Sequence, residues 1–593
     1  MKKLILLLTI SIGFSVGEAG AIFLLISPSP TMNGFGGSGV SMISNDAYSV
    51  HYNPALSPLQ SGFSFTSSNS STDWLPNLAD DLLLESNVRQ IGYNGYSYKN
   101  LKLQFALTWY NTDLDLGSQV QTDAEGNELG NFNSSMKADA TSFSLGIQFK
   151  DRPIYLSLGR TNKTAIQNLG PGAGSEVSDG SSKDKFYDWG FRFLVNNHPF
   201  LDNNKIGLTF ALGYSKSNIG DFIWFQDNAQ ADPAPMTARL GLTWGGKISL
   251  LDGVGIELKF VNEAEDLLVE TLVDSVLIND EMQYEYERVY QKGLLGDINI
   301  TDHIIDGDAV DEVTIHRGFE LSFLDIYYIR EGQFIDEPGR IDVSTEGFGI
   351  NISNLFTTLP LFMGDNFPLI YNIFNYVDIQ FNSSKWDEEQ GHPLANTFFD
   401  EYTFSLKNID NLIKGNSLMN ISPNINLIGG MTLSKLVGND IDESIEDEIE
   451  YLNGFKFGIE EISQNNRIMG LTYSQRGVDF GGNGFFKANY FSGYYLFPKD
   501  ISDNLTLLLG GEMGLFYNGE IESCYSESCE TEKLSFDEYD GEKFDYGLII
   551  GAKIPLNSEI SLIGNYYFSF AYLYEDIDMQ NRSLQFYLSY GLK

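Results

Sequence analysis

Few residues in this chain are spaced for chemistry. Five histidines occur, His51, His198, His303, His316 and His392, and no two share a spacing that would aim both rings at one metal. The H-E-x-x-H pattern, the G-x-S-x-G nucleophile turn and a phosphate-binding loop are absent from the sequence. Asp440, Asp442, Glu443, Glu446, Asp447 and Glu448 offer the oxygen ligands that calcium takes, yet the run lacks the glycine of an EF-hand loop. Its even density reads as a solvated hairpin tip, and Glu263–Asp266 and Glu281–Glu287 read the same way. Rim carboxylates or a Ser/His pair do serve some barrel enzymes, but no constellation here singles one out. The expectation is a non-enzyme with no catalytic residue, no metal and no cofactor. Cys524 and Cys529 are the two cysteines. Their C-x4-C spacing fits neither a thioredoxin motif nor a zinc pair with partners. In an exported chain they are expected to form a small disulfide loop, with two free thiols as the alternative.

The stretch Phe23–Leu59 is the element around which the rest is organised. Gly34, Gly36, Gly37 and Gly39 permit close approaches that side chains would block. Asn53-Pro54-Ala55 reads as a turn, because proline fixes its own φ and biases the preceding residue away from helix. The stretch is too short and too rich in glycine to cross a membrane as a helix. The glycines do not form a dinucleotide loop, which needs a strand before it and a helix after it.

Ahead of it, Lys2 and Lys3 precede an apolar run from Leu4 to Val16, and Ala19-Gly20-Ala21 offers small residues for cleavage. Residues 1–21 are expected to be a secretory signal. No later apolar run is long enough for a transmembrane helix. The composition includes 59 glycines, 32 tyrosines and 42 phenylalanines in 593 residues. Outer-membrane barrels place aromatic residues at both interfaces and glycine where strands bend or crowd. The net charge of −43 argues against nucleic acid, whose binding needs lysine and arginine.

Alternating segments carry the fold expectation. Leu101, Leu103, Phe105, Leu107 and Trp109 alternate with Lys102, Gln104, Ala106 and Thr108. Phe143, Leu145, Ile147 and Phe149 alternate with Ser142, Ser144, Gly146 and Gln148. Ile206, Leu208, Phe210, Leu212 and Tyr214 alternate with Gly207, Thr209, Ala211 and Gly213. Strand side chains point to opposite faces at each step, so one face is apolar and the other small or polar. Lipid outside and lumen inside would account for that, as would a soluble sandwich. Aromatic richness, strand length, repetition and the leader favour the membrane barrel. Further strands are expected near Gly62–Thr66, Arg89–Tyr98, Ile154–Gly159, Tyr187–Leu194, Ala238–Trp244, Gly255–Phe260, Phe319–Tyr328, Glu346–Ile352 and Tyr376–Phe381. Glu263–Val310 interrupts the rhythm and is expected to be an external insertion, with a hairpin around Tyr284–Tyr290. A second rhythm of about eight segments fills 420–593, a number that closes a small barrel with a side-chain-filled interior.

At Phe23–Pro28, Gly34–Gly39, Asp46-Ala47 and Asn53-Pro54-Ala55 the chain resembles the start of mature outer-membrane proteins of the FadL-like and PorV/PorQ class. That resemblance implies a barrel of about fourteen strands with an N-terminal hatch inside its mouth. It makes Gly34, Gly36, Gly37, Gly39, Asp46, Asn53, Pro54 and Ala55 the expected hatch residues. Ile428-Gly429-Gly430, Leu433-Ser434, Gly470–Gly477, Phe544–Gly547 and Tyr590-Gly591-Leu592 resemble the small PorT-type barrels, OmpA-like in architecture. Ending on Lys593, the chain departs from the aromatic C-terminus usual for barrels. The expected organisation is an all-β outer-membrane chain: signal 1–21, hatch 22–60, large barrel 61–385, connector 386–419 and small barrel 420–593. Expected partners are outer-membrane lipids, the barrel-assembly machinery and either a hydrophobic ligand or type IX secretion components. The expected role is transport or binding of hydrophobic or small solutes through a plugged lumen. The alternatives are a PorV-like interaction protein of type IX secretion and a structural or adhesive surface barrel.

Overall fold

The computed structural model describes residues 19–592 apart from 45, 57–61, 79–81, 123–127, 150–151, 171–180, 201–202, 225–230, 252–253, 279–280, 311, 338, 389–391, 414–423, 439–448, 526–527, 536–538, 540, 542 and 575–576. The leader run Leu4–Val16, the acidic run Asp440–Glu448 and Lys593 lie outside the described residues. Two compact units divide the chain: Met1–Thr358 with Asn375–Asn416, and Leu359–Phe374 with Ser417–Lys593.

The strands of the first unit are β1 Gly62–Asp73, β2 Leu83–Tyr98, β3 Leu101–Thr122, β4 Glu128–Phe149, β5 Ile154–Asn168, β6 Ser181–Phe200, β7 Asn203–Gly220, β8 Thr237–Leu251, β9 Val254–Leu267, β10 Val269–Ile278, β11 Glu281–Tyr290, β12 Val313–Phe323, β13 Tyr327–Asp336, β14 Ile341–Asn351, β15 Val377–Asp387 and β16 Thr397–Leu406. All but β10 and β11 form one closed antiparallel barrel of fourteen strands. It closes where β1 pairs with both β2 and β16, so that Phe65 lies opposite Ile91 on one side and Leu406 on the other. The alternation in sequence is an alternation of environment. Phe143 is 51% exposed on the outer face while its neighbour Ser142 is 1% exposed toward the lumen. Outward apolar side chains and inward small or polar ones are the pattern of a lipid-facing wall.

At one barrel end most connections are brief, Lys99-Asn100, 201–202, 252–253 and 324–326 among them, and the exception is 352–376 between β14 and β15. At the other they include 221–236 and 268–312. Three expectations are corrected here. The barrel does not end near 385, because β16, inside the expected connector, is its closing strand. Its lumen face carries Glu401, Thr403 and Ser405, so the segment reads as mixed polar. Phe319–Tyr328 is two strands, broken by a turn at Leu324 and Asp325, both in the left-handed region at φ 56° and 53°. Glu263–Asp266 is no solvated run: β9 continues through it, and Glu263 and Asp266 are both fully buried. The hairpin of the insertion is β10–β11, in register from Val269 opposite Tyr290 to Ile278 opposite Glu281.

The second unit has β17 Ile425–Val437, β18 Leu452–Ile462, β19 Ile468–Asp479, β20 Gly484–Ser502, β21 Leu505–Tyr525, β22 Ser528–Leu534, β23 Phe544–Pro555, β24 Ile560–Tyr574 and β25 Ile577–Leu592. They form one antiparallel sheet ordered β20-β19-β18-β17-β25-β24-β23-β21-β22, with a further pairing of β20 to β21. Each of the eight expected segments falls on a strand, and β22 is an added one. Cys524 and Cys529 stand opposite each other across β21–β22 with their sulfurs bonded. Both cysteines of the expected disulfide loop therefore stand on strands.

One face of this sheet buries charged groups. Lys456, Arg476 and Glu512 are fully buried. Glu512 binds both cations, at 3.0 Å from Lys456 Nζ and through a contact with Arg476, which also pairs with Asp545 at 2.6 Å. The helices Ile352–Phe362 and Pro368–Tyr376 carry no strand rhythm and went unforeseen. Within the second unit, Glu461 accepts from the amides of Leu369 and Ile370 at the start of the latter, an acidic cap on a helix N-terminus. No helix among the described residues is long and apolar enough to cross a membrane.

Candidate functional site

The segment that precedes β1 lies in the lumen of the large barrel. Tyr48 donates to the carbonyls of Ser68 and Ser86 on β1 and β2. Asn53 reaches β6, Ser41 reaches β8, and Gly39 reaches β9. Gly36 is bonded to β12 and β14. Contacts to strands all around the wall are possible only from inside it.

Local chemistry shapes the segment. Ser29 caps the turn Pro30–Asn33 by accepting from the Met32 amide at 3.0 Å, and its hydroxyl donates to Asp46. Asp46 in turn caps the 3-10 turn Ala47–His51, accepting from Tyr48 N at 2.7 Å. One carboxylate thereby ties together two turns seventeen residues apart. Burial pushes the Asp46 carboxyl above its ordinary value, against the hydrogen bonds from Ser29 and Tyr48. Burial also pushes the His51 imidazole down to about 3, helped by the charges of Lys163 and Arg239, so it is neutral. Asn53 folds back to accept from the Ala55 amide, while its amide group donates to Val40 O at 2.7 Å and Phe191 O at 3.0 Å. Gly36 and Gly37 occupy the left-handed region at φ 74° and 72°. Gly34 lies over the Gly347 backbone, and Gly39 packs against the ring of Tyr52.

The wall holds this segment through backbone, not through apolar packing alone. Glu263 Oε2 accepts from the amides of Gly39 and Val40 at 2.7 and 2.9 Å. Its other oxygen pairs with Arg239 Nη1 at 3.0 Å, and the second guanidinium nitrogen of Arg239 binds Glu265. Arg239 also donates to Gly37 O at 3.3 Å and lies over the Tyr52 ring at 4.9 Å. His316 Nδ1 donates to Gly36 O at 2.7 Å, and its Nε2 lies 3.3 Å from Glu265 Oε2. Such charge-assisted bonds are the strong ones when water is excluded.

Sequence reasoning missed the wall's own glycines. Gly159 and Gly190 face each other in register on β5 and β6, and so do Gly213 and Gly241 on β7 and β8, and Gly318 and Gly332 on β12 and β13. A Cβ on Gly159 would overlap Pro54 O, one on Gly213 would overlap Val40 O, and one on Gly332 would overlap Gly36 N. The signal was present: glycine in the lumen-facing register of strand after strand. Without the pairing register it did not assemble into a docking track.

The segment separates two spaces. Toward the long-loop end is a cavity of about 170 Å³. Trp74, Trp386, Phe334, Ile341, Leu25 and Ile26 wall it, and Tyr52, Arg239, Glu265 and His316 form its polar side. Toward the short-turn end is a polar chamber of about 460 Å³ lined by Thr31, Asp46, Lys259, Glu320, Arg330 and Lys407 among others. Every expected hatch residue lies in the segment between them, and all are buried. Cys524 and Cys529 belong to the second unit and take no part.

No family model matches the chain, and no curated protein matches it in sequence. Among solved structures it is similar to the Ralstonia pickettii toluene transporter TbuX, with 12% identity over 65% of this chain and 99% of that one and a TM-score of 0.37. It is also similar to FpvA of P. aeruginosa bound to heterologous pyoverdines, with 11% identity over 89% and 71% and a TM-score of 0.25. A third is Ail, the attachment invasion locus protein of Yersinia pestis, with 14% identity over 29% and 99% and a TM-score of 0.20. Values this low assign the chain to no family.

Proposed function

We propose that this chain is an outer-membrane protein whose large barrel binds a small apolar solute above an internal hatch and admits it inward when the hatch shifts. The observation that carries this reading is the aromatic-walled cavity directly against residues 25–52, inside a wall whose outer face is apolar. Pockets of this kind, apolar with a few polar groups on one side, are the usual form of small-molecule sites. Short turns face the periplasm and long loops the exterior in such barrels, which puts the cavity on the outer side of the hatch. The resemblance to the FadL-like and PorV/PorQ class supports the same reading, without its fatty-acid specificity.

The second unit is part of the proposal as a small barrel of PorT type. Each of β17, β18, β19, β20, β21, β23, β24 and β25 has a hydrogen-bonded neighbour on both sides, which is what a closed ring requires.

The test is ligand binding by the purified full chain in detergent, read by tryptophan fluorescence with small aromatic hydrocarbons. Saturable binding is expected, and Ile341→Trp, which fills the cavity, should abolish it with an unchanged circular dichroism spectrum. Binding that survives Ile341→Trp would place the ligand elsewhere. No binding at all would remove the transport reading and advance a role in docking exported protein.

A further inference from the structure

We infer that the cavity above the hatch prefers a small organic cation, a trimethylammonium or similar group, to a neutral or anionic solute. This rests on the cavity being a binding site, as proposed above, and replaces a wholly apolar ligand with a largely hydrocarbon one that carries a cationic group.

Three observations combine. The first is the arrangement of rings. Trp74 and Trp386 meet at 73° with centroids 5.6 Å apart, and Trp386 and Phe334 meet at 64° and 5.2 Å. All three line the cavity and are buried. Three aromatic rings therefore border the space, and the face of an aromatic ring, tryptophan's above all, attracts a compact cation. The second is the balance of charge. Glu312 and Asp336 line the space beside Glu265, Arg239 and His316, of which Glu265 pairs with the other two. The Arg239 guanidinium is already committed to Glu263 and Glu265. An anion would meet an excess of carboxylate, and a neutral hydrocarbon would leave the carboxylate field unused. The third is size. A cavity of about 170 Å³ admits a group as large as benzene, which occupies an apolar cavity of about 150 Å³. Around it, a chain of net charge −43 raises the local concentration of cations.

The test uses the full-length protein in detergent and two probes of the same shape. Choline and 3,3-dimethylbutan-1-ol differ by a quaternary nitrogen in place of a quaternary carbon. Calorimetric titration should show choline bound about tenfold or more tightly than the neutral alcohol. Trp74→Leu and, separately, Asp336→Asn should each erode that ratio, the second keeping the shape of the side chain it replaces. Equal or tighter binding of the alcohol would overturn the cation preference and leave the apolar-solute reading standing. A ratio unchanged in both variants would also overturn it, since the cation would then be read elsewhere. Binding of neither probe, together with no binding of aromatic hydrocarbons, would remove both readings.

Discussion

The lumen of the fourteen-strand barrel is filled by chain that belongs to no strand, whereas the buried face of the β17–β25 sheet is covered by side chains rooted on the strands themselves. In the first, Glu263 and Arg239 hold the backbone of Gly37–Val40, and paired glycines on the wall make room for it. In the second, Lys456, Arg476, Glu512 and Asp545 bond to one another on the buried face. A filling that is a separate segment can move without breaking a single strand pairing. One built from strand side chains is fixed as firmly as the strands. The difference explains why a cavity and a polar chamber accompany the first barrel, on either side of a segment that is not part of its wall.

Deleting Gly34–Ser49 should break the comparison most visibly. The barrel strands pair with each other, so the deletion should leave strand content unchanged by circular dichroism and raise small-solute permeability of reconstituted liposomes many-fold. Unchanged permeability in a folded barrel would mean that the segment does not close the lumen. The matching cut in the second unit is Glu512→Ala, which strips two buried cations of their shared partner. It should destabilise that unit by about 3–5 kcal/mol, read as a lowered unfolding transition in detergent. A change under ~1 kcal/mol would show that water reaches the cations.

A smaller effect is expected where wall and segment meet. Glu263→Gln keeps one acceptor oxygen but removes the charge that Gly39, Val40 and Arg239 share. Hydrogen exchange at the 36–42 amides should quicken, by an amount equivalent to about 1–3 kcal/mol, while exchange in the strands stays the same. Gly159→Ala should loosen the Pro54 turn, whereas Gly429→Ala, with open space around it, should be silent.

The smallest effect is a pH dependence. Burial lowers the His51 pKa from an ordinary 6.5 to about 3. A freed segment therefore binds more protons between those values, and docking weakens as pH falls from 6.5 toward 3. Protection of the 47–53 amides should be lower at pH 5 than at pH 7. Asp46, whose pKa burial raises, acts with the opposite sign. His51→Asn isolates the imidazole: it should remove the acid-side loss, and an unchanged pH profile would exclude His51 as its source.

Much of the wall was legible because a lipid-facing strand must alternate, and Phe143–Phe149 or Ile206–Tyr214 does so residue by residue. β16 was not, because Glu401, Thr403 and Ser405 face a polar lumen and look like loop chemistry. Glu263 and Asp266 misled for the same reason. Acidic residues are solvated far more often than buried, and Arg239 on a neighbouring strand together with the Gly39 and Val40 amides offsets the cost of burying Glu263. The helices between β14 and β15 gave no signal, since Ile352–Phe362 carries a proline within it.

By itself the sequence determined the two strand rhythms, the special segment Phe23–Leu59 and its Asn53-Pro54-Ala55 turn, since these follow from local rules of alternation and backbone freedom. Only the tertiary structure decided which strand closes the barrel, which glycines face one another, and that Glu263 grips the Gly39 and Val40 amides. The reason is physical. Residues 224 positions apart become neighbours only through the register of the closed sheet, and no local preference encodes that register.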